Sequence, residues 1–157
     1  MSGPNPNVYS EVEGSARLGE LAGADRLGMS LYELAPGEGM VFHYHVQREE
    51  LMIVLGGTVE LRTGEGRMEL AEGAVVSFPR GERGAHGFEN TGDRPARVLV
   101  ISEQNGPNIS VYPDENEIGI FDAAHPADRR FGARFKVTDA LDGYGGGKPE
   151  IVPPGSP

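Results

Sequence analysis

Short runs of Val, Leu, Ile and Phe, broken again and again by glycine or proline, make up the chain between Leu27 and Tyr112. The 24 glycines and 12 prolines among 157 residues leave little room for long helices. Strands of roughly four to eight residues closed by tight turns fit between the breaks. The pattern predicts an all-β domain with strands over Leu27–Leu34, Met40–Tyr44, Glu50–Leu55, Thr58–Thr63, Arg67–Leu70, Ala74–Pro79, Gly87–Asn90, Arg97–Ser102 and Ile109–Tyr112. Between two of these, Thr63-Gly64-Glu65-Gly66 supplies two glycines where a hairpin needs positive φ. A chain of this length forms one domain and buries roughly 70% of its unfolded surface, so it needs no disulfide to fold. The polar, proline-containing residues 1–14 read as an N-terminal arm and 15–113 as the folded β domain. Residues 114–144 read as a short segment docked on it, with a helical turn near Thr138–Leu141, and 145–157 as a flexible tail.

Charge and composition remove whole classes of function. With 24 acidic and 14 basic side chains the net charge is −10, which repels phosphate backbones and anionic bilayers rather than gaining from counterion release. The longest central apolar run, Leu51–Leu55, is far too short to span a bilayer, and the first residues lack the pattern of a secretory signal. The expectation is a soluble, cytoplasmic protein, and the sequon Asn108-Ile109-Ser110 reads as a chance occurrence. No cysteine is present, so any metal must bind through nitrogen and oxygen. No Gly-x-Ser-x-Gly elbow exists, and "GYGGGKP" fails as a phosphate loop because Asp142 and Pro149 stand where glycine and a hydroxyl are required.

The stretch "FHYHVQREELMIVLGG", residues 42–57, spends two of the chain's four histidines two residues apart in a predicted strand. Alternation points His43 and His45 the same way, far enough apart for both imidazoles to reach one ion. Glu50 has the wrong parity for that strand, so residues 46–49 must turn the chain and Glu50 must open the next strand, facing inward with Met52 and Val54. In "GAVVSFPRGERGAHGFEN", residues 73–90, His86, Phe88 and Asn90 share a face after the turn at Pro79-Arg80-Gly81. Phe42 and Tyr44 alternate away from the histidines and read as core. Met52 and Phe88 share the histidines' side and read either as cavity lining that touches substrate or as barrel filling. Arg48, Arg80 and Arg83 read either as recruiters of an anionic substrate or as solvated loop residues. His125 reads as a surface-loop residue.

Together the two segments resemble the cupin family. Its first motif, glycine, five residues, His-x-His, four residues, Glu, six residues, glycine, is matched by Gly37, His43, His45, Glu50 and Gly57. Its second, glycine, five residues, Pro-x-Gly, two residues, His, three residues, Asn, is matched by Gly73, Pro79, Gly81, His86 and Asn90, with four residues instead of two before His86. Two extra residues preserve strand parity, so His86 can still face inward. The resemblance implies a double-stranded β-helix, a jelly-roll barrel, with His43, His45, Glu50 and His86 holding one divalent transition metal ion, Mn, Fe, Ni or Zn. Glu49 with Gly56 fits a looser form of the first motif. It further implies a homodimer and a small-molecule ligand held near Arg48, Met52 and Phe88. The activity implied is a metalloenzyme of oxygenase, isomerase or decarboxylase type on a small polar or aromatic metabolite, or else a non-catalytic protein that anchors a small ligand through its metal.

Overall fold

The computed structural model describes residues 8–104, 106–121, 132–137 and 150–152. After a two-residue strand β1 (Ala16–Arg17) and a single helical turn α1 (Leu18–Leu21), the chain runs through β2 (Leu27–Leu34), β3 (Gly39–His45), β4 (Glu50–Gly56), β5 (Thr58–Thr63), β6 (Gly66–Ala71) and β7 (Val75–Phe78). A 3-10 turn (Glu82–Gly84) leads to β8 (His86–Glu89), β9 (Ala96–Glu103), β10 (Asn108–Tyr112), β11 (Glu117–Phe121), β12 (Ala133–Lys136) and β13 (Glu150–Val152). All nine predicted strands are present, each end within one residue of its expected place.

The strands form two antiparallel sheets, β1-β2-β9-β4-β7 and β13-β12-β11-β10-β3-β8-β5-β6. From β2 to β5 the chain passes from sheet to sheet with every connection, which is the winding of a double-stranded β-helix, a jelly roll. Period-two alternation selects what faces inward. On β4 Glu50, Met52 and Val54 are buried while Leu51 and Ile53 between them are only partly so. Met52, Val54, Leu61, Phe88 and Val98 interdigitate in one apolar cluster, each such side chain contributing about 1.5–3 kcal/mol by leaving water. Gly57 turns the chain out of β4 with φ 77°, and Ala96 packs so close that a side chain there would press on it.

The five-stranded sheet is apolar on its outer face as well. Leu31 and Leu99, paired across β2 and β9, point away from the barrel. Val8, Leu18 and Val12 cover them, and Arg97 lies over the Tyr9 ring, 5.2 Å from its centre. The part of the expected arm that is described, residues 8–14, therefore lies against its own barrel, because Leu31 and Leu99 would otherwise face water. The segment after Tyr112 docks by pairing: β11 and β12 continue the eight-stranded sheet, Ile120 opposite Ala133. Within the expected tail, Glu150–Val152 pair with β12, a β-branched pair suiting a strand before the prolines. The expected helical turn at Thr138–Leu141 and His125 lie outside the described residues.

Candidate metal centre

Strand register assembles the site from both sheets. His43 on β3 stands directly across from His86 on β8. On the other side of β3, Ser110 of β10 stands across from His45. Glu50 comes from β4 in the opposite sheet, so three imidazoles of one sheet face a carboxylate of the other. A bulge between Met40 and His43 lets β3 pass close to β8, and Gly87 is needed there because a Cβ would run into the Met40 carbonyl. All four side chains are buried: His43 is 7% exposed, His45 9%, Glu50 9% and His86 2%.

Their reactive atoms converge. His43 Nε2 and His45 Nε2 are 3.2 Å apart, while Glu50 Oε2 lies 3.2 Å from His45 Nε2 and 3.3 Å from His86 Nε2. The far nitrogen of every ring is tied down: His43 Nδ1 to the Val41 carbonyl at 2.9 Å, His86 Nδ1 to the Gly84 carbonyl at 2.8 Å, and His45 Nδ1 to Asn108 Oδ1 at 2.8 Å with Ser110 Oγ at 3.1 Å. A carbonyl oxygen accepts only, so each Nδ1 carries a proton, and a ring that is neutral then turns an Nε2 lone pair toward the others. Lone pairs and a carboxylate meeting at such distances repel unless a cation lies between them. The cation is either a proton on an imidazole or a metal ion shared by the group. The donor atoms of His43, His45 and Glu50 all lie within 4.8 Å of one another, so these three residues could hold a metal ion.

Electrostatics favour a neutral His43 and an ionised Glu50. Burial, then the neighbouring His86, lowers His43 to about 4. Burial alone would raise the Glu50 carboxyl, yet His45 and His86, whose Nε2 atoms face it and donate to it whenever they carry a proton, together outweigh burial and hold the group well below the usual carboxylate range. Aromatic rings fix two of the imidazoles: Phe78 stacks on His86 with ring centres 3.7 Å apart, and Tyr112 on His43 at 5.9 Å.

Several placements sharpen the sequence reading. Glu50 faces inward beside the histidines, while Glu49 is exposed and uses its backbone N–H on Glu103 Oε2. The longer gap before His86 has a purpose: the 3-10 turn fills it and presents the Gly84 carbonyl that holds His86. Arg48 is not a solvated loop residue. It is 7% exposed, donates to the Gly106 carbonyl at 2.8 Å, and has a buried Nε without a hydrogen-bond partner among the described residues; burial lowers its pKa, against the opposing charges of Glu50 and Glu103. Arg80 and Arg83 are exposed. Met52 (0% exposed) and Phe88 (3%) sit in the packed core below the site, as barrel filling. Phe42 and Tyr44, expected as core, are only half-buried on the outer side, Phe42 beneath the Arg62 guanidinium at 4.0 Å. Asn90 serves the scaffold, donating to the carbonyls of Leu34 and Arg94.

The residues that sequence reasoning missed are Asn108 and Ser110. Their one visible signal was the sequon pattern, which by strand parity places both on one face of β10; nothing local says that β10 lies beside β3.

Residues 30–102 match the sequence model of the Cupin domain, Cupin_2. The structure is similar to that of a cupin-superfamily sugar phosphate isomerase from Silicibacter pomeroyi, with a TM-score of 0.70 and 25% identity over 88% of each chain. It is also similar to the polyketide cyclase RemF from Streptomyces resistomycificus, with a TM-score of 0.50 and 28% identity over 57% of this chain and 63% of that one. The tetracenomycin polyketide synthase protein TcmJ of Streptomyces glaucescens is 34% identical over 67 residues, 43% of this chain and 44% of that protein. The chain spans about half the length of the curated relatives it matches. Among the described residues no helix is long and apolar enough to cross a membrane.

Proposed function

Since the chain carries a cupin domain of the Cupin_2 type, we propose that it is a metal-dependent enzyme acting on a small, oxygen-rich metabolite. His43, His45, Glu50 and His86 together hold one divalent first-row ion, Mn, Fe, Ni or Zn. The observation that carries this reading is the convergence of three Nε2 atoms and one carboxylate oxygen whose supporting hydrogen bonds all orient them as neutral or anionic donors. Histidine and carboxylate suit the borderline metals of that series. A bound ion supplies Lewis-acid polarisation of a substrate oxygen.

Isomerase or cyclase chemistry, proton movement next to a carbonyl, is the class we favour. The sugar phosphate isomerase and the polyketide cyclase among the similar structures support it. Around such a substrate the chain's own residues have separate tasks. Glu50 stays ionised and orients by charge, the buried Arg48 adds positive potential beside it, and the apolar core beneath excludes water from the barrel's far end. Elemental analysis of protein purified without chelators tests the reading: about one ion per chain is expected, and none overturns it. Glu50→Gln should weaken binding of that ion and Glu49→Gln should not. We further infer a homodimer, since the edge strand β7 exposes Val75 and β6 exposes Met68; a monomeric mass by light scattering at tens of micromolar would remove it.

A further inference from the structure

Beside Glu50 on the inner face of the five-stranded sheet stand groups that neither the barrel nor the metal centre uses. Ser102 on β9 is directly across from Glu50 on one side and from Gly28 on the other. It has the parity of Val98 and Val100, which are buried in the core, so its hydroxyl points into the barrel. Gly28 has no side chain to fill the row, and the space above it is taken by Ser102 Oγ and the Gln104 amide; a Cβ on Gly28 would run into both. Both side chains are half-buried, and neither has a hydrogen-bond partner among the described residues. A half-buried hydroxyl and amide without a protein partner are left to water or to a ligand that enters and displaces it.

We propose that Ser102 and Gln104, gathered over the bare Gly28, form the hydrogen-bonding wall of the substrate site and take the hydroxyl groups of a small polyhydroxylated acid. This rests on the metal reading, which places the acid's chelating end at His43, His45 and Glu50. The match is one of donors and acceptors. A serine hydroxyl and a glutamine amide each both donate and accept, as alcohol groups do, whereas a carboxylate or phosphate only accepts. Glu50 is the one member of the metal centre on the same sheet, immediately across the ladder from Ser102, so a chain of hydroxylated carbons extending from the metal along that sheet reaches Ser102 first and Gln104 next.

Gluconate and lactate share a chelating 2-hydroxy acid end and differ in the hydroxylated tail, so they isolate the wall from the metal. By calorimetry on metal-loaded protein, gluconate should bind more tightly than lactate. Ser102→Ala should weaken gluconate by roughly three- to tenfold, the loss of one hydrogen bond, and leave lactate unchanged. Gly28→Ala should do the same by pushing the two side chains aside. It should fold, because the three atoms nearest the added Cβ belong to movable side-chain ends and Gly28 does not adopt positive φ. Bound metal, measured in the same samples, should equal that of the unsubstituted protein in both variants. Equal affinity for gluconate and lactate, or variants that bind gluconate as well as the parent protein, overturns the proposal. Loss of metal from the parent protein counts instead against the metal reading.

Discussion

The two ends of the barrel interior are built on the same strands and differ completely in character. Along β4 the inward positions run from Glu50 to Met52 and Val54. Along β9 they run from Val98 and Val100 to Ser102. At one end, imidazoles, a carboxylate and small polar side chains face one another; at the other, aliphatic and aromatic side chains fill the space. Two residues along β4, from Glu50 to Met52, cross from one regime to the other. The difference teaches that folding free energy and chemistry are held by different residues of the same strand, and can be removed separately.

The largest effect expected of any substitution is loss of metal on replacing both His43 and His45 by Ala. Removing a ligand costs more than removing its supporting partner, for which about 10- to 100-fold in affinity is typical, so the double variant should retain almost no ion. Its far-ultraviolet circular dichroism should stay that of a β protein, because the core is elsewhere. Metal at the parent stoichiometry would break the division outright. The mirror experiment is Leu61→Ala. Leu61 is 0% exposed at the apolar end, and the cavity left behind should cost about 2–5 kcal/mol in a denaturant titration while the folded protein still binds its ion. If metal content fell with stability, the two ends would be one cooperative unit.

How much of this was legible beforehand depends on how far the information travels along the chain. Alternation and turn residues are local, so the strands from Leu27 to Tyr112 and the inward set His43, His45, Glu50, His86 could be read directly. The same alternation could not say whether Met52 and Phe88 touch ligand or only each other, since an inward position is an open surface near the mouth and packed core two residues deeper. Nor could the sequence choose between a solvated and a ligand-recruiting Arg48, because its burial depends on the Gly106 loop, far along the sequence. Where residues 8–14 lie was hidden for a related reason: Val8 packs on Leu18 and Leu31, and nothing in a polar segment announces which face it covers. Asn108 is 63 residues from the imidazole it holds. Contacts of that kind are set by sheet order, which periodicity does not encode.

Asn108 also sharpens the comparison, since it separates the three imidazoles. His43 and His86 lean on backbone carbonyls of their own segments, which no substitution removes. His45 leans on two side chains, so it alone can be loosened without being replaced. Asn108→Ala should lower metal affinity about 10- to 100-fold, read by competition with a chromophoric chelator, with unfolding almost unchanged because Asn108 is outside the apolar cluster. Ser110→Ala should act in the same direction and less strongly, its oxygen being the more distant at 3.1 Å. An effect on stability larger than on metal would place both residues with the core rather than the site.

The smallest effect is expected outside the barrel, and it tests whether the interior alone carries the division. Arg62 lies across the outer face of β5, over the ring of Phe42 and paired with Asp114. Phe42 is the chain neighbour of His43, so the pair is one residue from the metal centre in sequence, yet on the opposite side of the sheet. The side chains of Arg62 and Asp114 are 35% and 46% exposed, and exposed pairs of this kind are screened by water and salt. Arg62→Ala should therefore leave metal affinity unchanged and shift the denaturation midpoint by no more than moderate salt shifts that of the parent protein. A measurable drop in metal affinity would mean that the Phe42 ring, released from the guanidinium, lets β3 move and carries His43 with it; the outer face would then belong to the site, and the boundary between scaffold and chemistry would run through the sheet rather than along the barrel.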